Sequence, residues 1–253
     1  MSAETSAADT RDRPRLADRT VVVIGASAGI GLETARQARA DGARLVMTGR
    51  DPERLRRAAA ELDPVGTAAF DATDTDRLKE FFDGLPEPVD HVMVTAGAPS
   101  YRPLDELDLD DARRDFADRL ALTLGVALHS RGKVRDGGTL LFVGGTGGRR
   151  PAPGMALVSA MTAALPALVA NLALELAPVR VNLIAAGFVD TPLSAALLGD
   201  RLEARRAELR ASLPIRRVVG PADVAALAVH LMCNDALTGA TYDIDGGQQL
   251  LSH

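Results

Sequence analysis

Short runs rich in β-branched residues alternate with longer amphipathic segments along the whole chain, and few architectures accept that order. TVVVIGA, residues 20–26, has the pattern of a buried strand, and GIGLETARQARADG after it has that of a helix ending at a glycine. The pairing recurs as strand 43–49 with helix 51–63, whose first turn holds Pro52, and strand 66–72 with helix 73–85, capped by Thr73 or Asp74. Strand 89–99 precedes a long helix across 108–134. Strand 138–148, a helix from about Ser159 to Glu175 and strand 179–187 follow. A helical, arginine-rich excursion over roughly 193–212, a helix over 220–234 and a last strand over 240–247 complete the order. Parallel strands need long crossovers, and here the crossovers are helices. The expected fold is therefore α/β, a doubly wound parallel sheet of Rossmann type.

The chain's 253 residues suffice for one large domain with a well-buried core, and no repeat or linker marks a second. Its polar, proline-interrupted start reads as a flexible arm over residues 1–16, leaving the domain over 17–253. A net charge of -5 provides no basic footprint for nucleic acid or an acidic membrane. The single cysteine, Cys233, excludes an internal disulfide, fits a reducing compartment and reads as a packing residue. No uninterrupted apolar run approaches a membrane span and the start lacks a signal-peptide core, so a cytoplasmic protein is expected. His91, His129, His230 and His253 are scattered without ligand spacing, and no metal site is expected.

VVVIGASAGIGLE places Gly25, Gly29 and Gly31 between a buried strand and a helix start, with Ser27, Ala28 and Ile30 among them. Glycines there allow a tight turn and let backbone approach a pyrophosphate, whose charge rests on the helix N-terminus. The spacing is G-x-x-x-G-x-G, which differs from the general dinucleotide fingerprint. A packing turn is the alternative. About 20 residues beyond such a loop an acid usually holds the ribose of NAD. Here Gly49 occupies that place and Arg50 follows. A guanidinium can clamp a 2′-phosphate, which favours NADP(H) over NAD(H), unless Arg50 is only a solvated loop charge.

From about Ala17 to Leu251 the chain resembles the short-chain dehydrogenase/reductase family. GASAGIG is similar to that family's cofactor loop, and FDATD to the segment in which Asp71, with Ala72, contacts adenine. VTAGAP resembles its N-N-A-G signature, keeping Ala96 and Gly97. ELAPVRVNLIAAGFVDTPL resembles its strand and turn after the active-site helix, with Asn182, Gly187, Val189 and Thr191 in place, and TGATYDIDGG its C-terminal signature. The resemblance implies a nicotinamide dinucleotide, a small-molecule substrate and a homo-oligomer, either tetramer or dimer.

In this family a Ser, a Tyr, a Lys and an Asn carry proton transfer. At those positions this chain has Gly145, Val158, Thr162 and Arg119. Val158 cannot exchange a proton and Thr162 carries no charge. Positioned acid–base catalysis contributes roughly 10²–10⁴-fold, so carbonyl reduction by the usual route is not expected. Replacement donors are few: Thr146 and Ser159 carry hydroxyls without an adjacent base, and Tyr101 lies in a loop that can overhang the cleft. Arg149 and Arg150 follow the fifth strand and can bind an anion or stay solvated. Pro166 inside the active-site helix predicts a kink near Met161–Thr162, since it removes a backbone bond and would cost about 3 kcal/mol in an unkinked helix. Three functions remain open: an NADP(H)-dependent oxidoreductase with an atypical site, a catalytically silent cofactor-binding sensor or subunit (a pseudoenzyme), or a non-redox lyase, isomerase or cyclase.

Overall fold

In the computed structural model, which describes residues 14–86 and 88–251, the chain forms β1 (Thr20–Ile24), α1 (Gly29–Ala40), β2 (Arg44–Gly49), α2 (Pro52–Leu62), β3 (Gly66–Ala69), α3 (Thr75–Asp83), β4 (Val89–Val94), α4 (Leu109–His129) and β5 (Val134–Gly145). It continues through α5 (Ala156–Glu175), β6 (Arg180–Ala186), α6 (Pro192–Leu198), α7 (Leu202–Ser212) and α8 (Pro221–Cys233) to β7 (Thr241–Ile244). The strands make one 7-stranded sheet in the order β3-β2-β1-β4-β5-β6-β7, and every pairing is parallel. This is the doubly wound Rossmann-type fold, with the strand order reversing between β1 and β4.

The period of two along a strand sorts the core into two layers. Val21 and Val23 of β1 pack with α1 and α8, through residues such as Ala35, Ala38, Val224 and Ala228. Val22 and Ile24 face the other way, toward Leu78, Phe82, Leu122, Val126, Leu165 and Val169 of α3, α4 and α5. Helix starts follow short acids. Asp51 accepts from the N–H groups of Glu53 and Arg54, and Asp74, not Thr73, caps α3 through Asp76 and Arg77.

Several sequence expectations need correction. The excursion over 193–212 is helical as expected, but it divides into two helices at Gly199, whose positive φ of 51° ends α6. The third strand stops at Ala69, and Phe70–Ala72 have already left the sheet. The fifth helix starts at Ala156, about one turn before the expected Ser159, and extends to Glu175 with Pro166 inside it and exposed. That helix is the most apolar stretch of the described residues: an 18-residue window within it has a mean hydropathy of 1.9, long and apolar enough to cross a membrane, although Ser159, Thr162, Pro166 and Asn171 interrupt the run. In this fold it packs Val158, Leu165, Val169 and Leu172 inward and turns mostly small residues outward. Cys233 is exposed at the end of α8, not packed. The arm expected over residues 1–16 lies outside the described residues up to residue 13; Leu16, near its end, is buried and donates its N–H to the Asp41 carbonyl. His253 also lies outside them.

At the end of the sheet opposite the cofactor loop, His91 is a source of pH dependence. Its ring is 6% exposed, and its Nδ1 has no partner among the described residues. Thr139, its register neighbour on β5, likewise has an unpartnered hydroxyl. Burial, partly offset by Asp90, lowers the imidazole from 6.5 to about 4. As pH falls, the unfolded chain takes this proton before the folded one does. The contribution is complete above 6.5 and is lost toward 4, for about 3 kcal/mol in all. His91→Leu is expected to remove that share of the slope in urea unfolding across this window. Parallel pH profiles for the two proteins would refute it.

Candidate cofactor cleft and active site

The reversal of strand order opens a crevice at the carboxyl ends of β1 and β4, and the glycine loop lies in it. Gly25 has φ 99°, and a Cβ there would stand 2.7 Å from Thr95 Oγ1 and 2.9 Å from the Ala96 nitrogen. A Cβ on Gly31 would lie 2.2 Å from the Gly25 carbonyl oxygen. Thr95 clasps the loop from β4, donating to the carbonyls of Ile24 (3.2 Å) and Gly25 (3.0 Å). Ala28 is the N-cap of α1 and offers no side-chain cap, so the first-turn N–H groups around Gly29, Ile30 and Gly31 keep no side chain over them. Such a bare, glycine-lined helix start suits a pyrophosphate. Thr191 closes the loop from the other side, within 3.5 Å of a Cβ placed on Gly29, and also caps α6 through the Ser194 N–H. Gly187 admits no side chain, since a Cβ would meet Asp245 at 2.6 Å, and Val189 bridges to Val219.

The adenosine end is set by the close of β2. Gly49 is buried, and a Cβ there would come 3.1 Å from Ser27 Oγ. Arg50 holds its side chain 83% exposed, with Nη1 3.8 Å from Asp71. Bonds from the Thr73 N–H (3.0 Å) and hydroxyl (2.8 Å) hold the Asp71 carboxyl below its ordinary pKa. Ala72 is buried beside it. Beneath the loop, Ser27, Leu32, Arg54, Arg57, Ala58 and Glu61 line a hollow of about 240 Å³. Arg54 and Arg57 were not singled out from sequence. Their spacing of three on the helix after β2 was the available signal.

The positions where proton transfer is expected are filled by packing. Val158 is buried, Ser159 Oγ donates to the Gly147 carbonyl (2.9 Å), and Thr162 Oγ1 donates back to the Val158 carbonyl (2.8 Å). Thr146 is buried with its N–H on the Ala186 carbonyl. Tyr101 is 51% exposed in the loop after β4, and desolvation raises its phenol, the reverse of what a donor near neutral pH requires. Gly145, Gly148, Arg149, Thr162, Ala163, Pro166 and Ala185 line a second hollow of about 240 Å³. Thr162 and Pro166 both face it, and because proline has no N–H the Thr162 carbonyl loses its usual helical donor.

The two arginines after β5 are not free for a ligand. Arg149 pairs with Asp243 through both terminal nitrogens (2.8 and 2.5 Å), and Arg150 donates to the Gln248 carbonyl. Asp190 is likewise taken, by Arg206. Arg119 is different. It reaches from α4 to the strand ends, where Nη1 donates to the Ala96 carbonyl and Nη2 to that of Val143, each at 3.0 Å. Gly97, at φ 100°, leaves the space, since a Cβ there would lie 2.5 Å from Arg119 Nη1. Among the described residues no group of three His, Cys, Asp or Glu is placed to hold a metal.

The chain as a whole is similar to known proteins. A family model described as enoyl-(acyl carrier protein) reductase matches residues 25–249. The protein named dehydrogenase/reductase SDR family member 4 from Sus scrofa is 30% identical, over 93% of this chain and 88% of its own length. Among solved structures, the MalC reductase/Diels-Alderase from Malbranchea aurantiaca superposes with a TM-score of 0.87 at 25% identity, covering 95% of this chain and 100% of that one. BdcA, solved in complex with NADPH, gives 0.82 at 27% identity, covering 92% and 95%.

Proposed function

The chain belongs to the short-chain dehydrogenase/reductase family, and from that premise we propose that it is an NADP(H)-binding oxidoreductase whose active site lacks the usual proton-transfer residues. The observation that carries the cofactor reading is the close of β2. A glycine stands where an acid for the ribose would be, and Arg50 lies exposed beside it. In this reading Gly25, Ser27, Ala28, Gly29, Ile30 and Gly31 cradle the pyrophosphate, and Arg50 binds the 2′-phosphate. Asp71 and Ala72 border adenine, while Ala96, Gly97, Gly187, Val189 and Thr191 flank the nicotinamide. The cofactor supplies the hydride equivalent, and this chain's residues bind it, orient it and exclude water. BdcA, solved with NADPH, supports the choice of cofactor. Arg50→Ala is expected to weaken NADPH by about tenfold or more and to leave NADH unchanged. Equal loss for both, or none, would overturn the reading.

A second reading is a cofactor-binding protein without turnover. It is favoured by Ser159 and Thr162, whose hydroxyls are spent on backbone carbonyls. A third, non-redox chemistry in the same cleft, draws on the likeness to a protein called a reductase/Diels-Alderase. Consumption of NADPH over a panel of carbonyl compounds separates the first from the second, and turnover without consumption selects the third. We also propose a cytoplasmic homo-oligomer, dimer or tetramer, joined through the outer faces of α4 and α5, where Leu124, Leu128 and Leu174 are exposed.

A further inference from the structure

Arg119 holds a positive charge in a partly buried place with no acid to answer it. Both groups it bonds, the carbonyls of Ala96 and Val143, are neutral, and among the described residues no carboxylate pairs with it. Its neighbours along this edge are answered: Arg149 by Asp243, Arg206 by Asp190, and Arg50 lies within 3.8 Å of Asp71. Burial pulls the Arg119 pKa down, yet a guanidinium stays charged at any ordinary pH. Two of its five N–H groups are used. Both bonds come from the terminal nitrogens, and Nε has no hydrogen-bond partner among the described residues. The neighbour that leaves it room, Gly97, adds neither charge nor hydroxyl.

A charge left unpaired in a low-dielectric cleft attracts an anion more strongly than one in water. The two carbonyl bonds fix the guanidinium plane, so little side-chain freedom is lost when a ligand arrives. We propose that Arg119 forms an anion site at the carboxyl ends of β4 and β5, and that the ligand taken there carries a carboxylate or a comparable oxyanion. The substrate end of the cleft is thus selected by charge, where the family's pattern would place a hydrogen-bonding amide. This inference rests on the reading of the cleft as a substrate site, but not on which nucleotide fills the rest of it.

The test uses the whole protein, with and without saturating NADPH. Acetate and benzoate, each against its neutral amide, are titrated calorimetrically. The carboxylates are expected to bind at millimolar concentration or tighter, and the amides at least about tenfold more weakly. Arg119→Met should lose carboxylate binding by about tenfold or more, Arg119→Lys should keep part of it, and Arg150→Met should keep all of it. Should Arg119→Met fail to fold, the preference for acid over amide in the native protein and the partial loss in Arg119→Lys still decide the matter. No carboxylate binding by the native protein, equal binding of acid and amide, or undiminished binding in a folded Arg119→Met would overturn the proposal. Cofactor emission is followed on the same samples. Carboxylate binding that depends on Arg119 without any NADPH binding would sink the proposed function and leave the anion site standing.

Discussion

Gly31→Ala is expected to abolish nucleotide binding and to destabilise the fold by about 3 kcal/mol. A Cβ on residue 31 would stand 2.2 Å from the Gly25 carbonyl oxygen and 2.6 Å from Thr95 Oγ1, well inside contact distance. Neither group can move cheaply. Gly25 is itself pinned against Ala96, and Thr95 Oγ1 is committed to the carbonyls of Ile24 and Gly25. The methyl can be accommodated only by pushing the first turn of α1 away from β4, which removes the surface a pyrophosphate would rest on. Gly132→Ala is the control. It has φ 71° and nothing within 4 Å of a built Cβ, so it should cost about 1 kcal/mol of backbone strain and leave binding intact. Urea unfolding and cofactor emission on both variants measure the contrast. A Gly31→Ala protein that binds NADPH like the native one would mean that the loop does not take the nucleotide.

Arg180→Met should cost about 4 kcal/mol in urea unfolding while leaving nucleotide affinity unchanged. Arg180 is 6% exposed, and its guanidinium donates to five carbonyls: Gly137, Leu231, Met232, Asn234 and Leu237. Leu231 and Met232 belong to the last turn of α8, whose carbonyls carry the negative end of the helix dipole. Methionine fills similar volume but leaves those acceptors without a donor in a dry site, which is the costly half of losing a hydrogen bond. Arg180 pairs with Thr139 at the start of β6, the sheet end away from the glycine loop, so the cleft should not register the change. A variant as stable as the native protein, or one that has lost NADPH affinity, would contradict this assignment.

The architecture was legible because the fold is built from local patterns. β1 is buried along its whole length, so its β-branched run stands out, and the caps Asp51 and Asp74 sit next to the helices they start. The glycine loop was legible for the same reason: Gly25, Gly29 and Gly31 lie within one turn of chain. The cleft was less so. Arg149 looked available to a ligand because its partner, Asp243, is 94 residues further along. The charge of Arg119 could be placed at the asparagine position from sequence. That it bonds two neutral carbonyls and no acid depends on three elements meeting at one edge. The five acceptors of Arg180 were hidden too, since carbonyls carry no mark in a sequence. The split between α6 and α7 turned on the conformation of a single residue, Gly199.

The central claim is that a complete NADP(H) cleft survives here beside positions emptied of their proton donors. The measurement that tests it most directly is a titration of the purified protein with NADPH and with NADH, followed by the emission of the dihydronicotinamide itself. The chain has no tryptophan, so the protein background is low. Micromolar binding of NADPH, tighter than NADH by about tenfold or more, is the predicted result. Failure of either nucleotide to bind, or a preference for NADH, would contradict it.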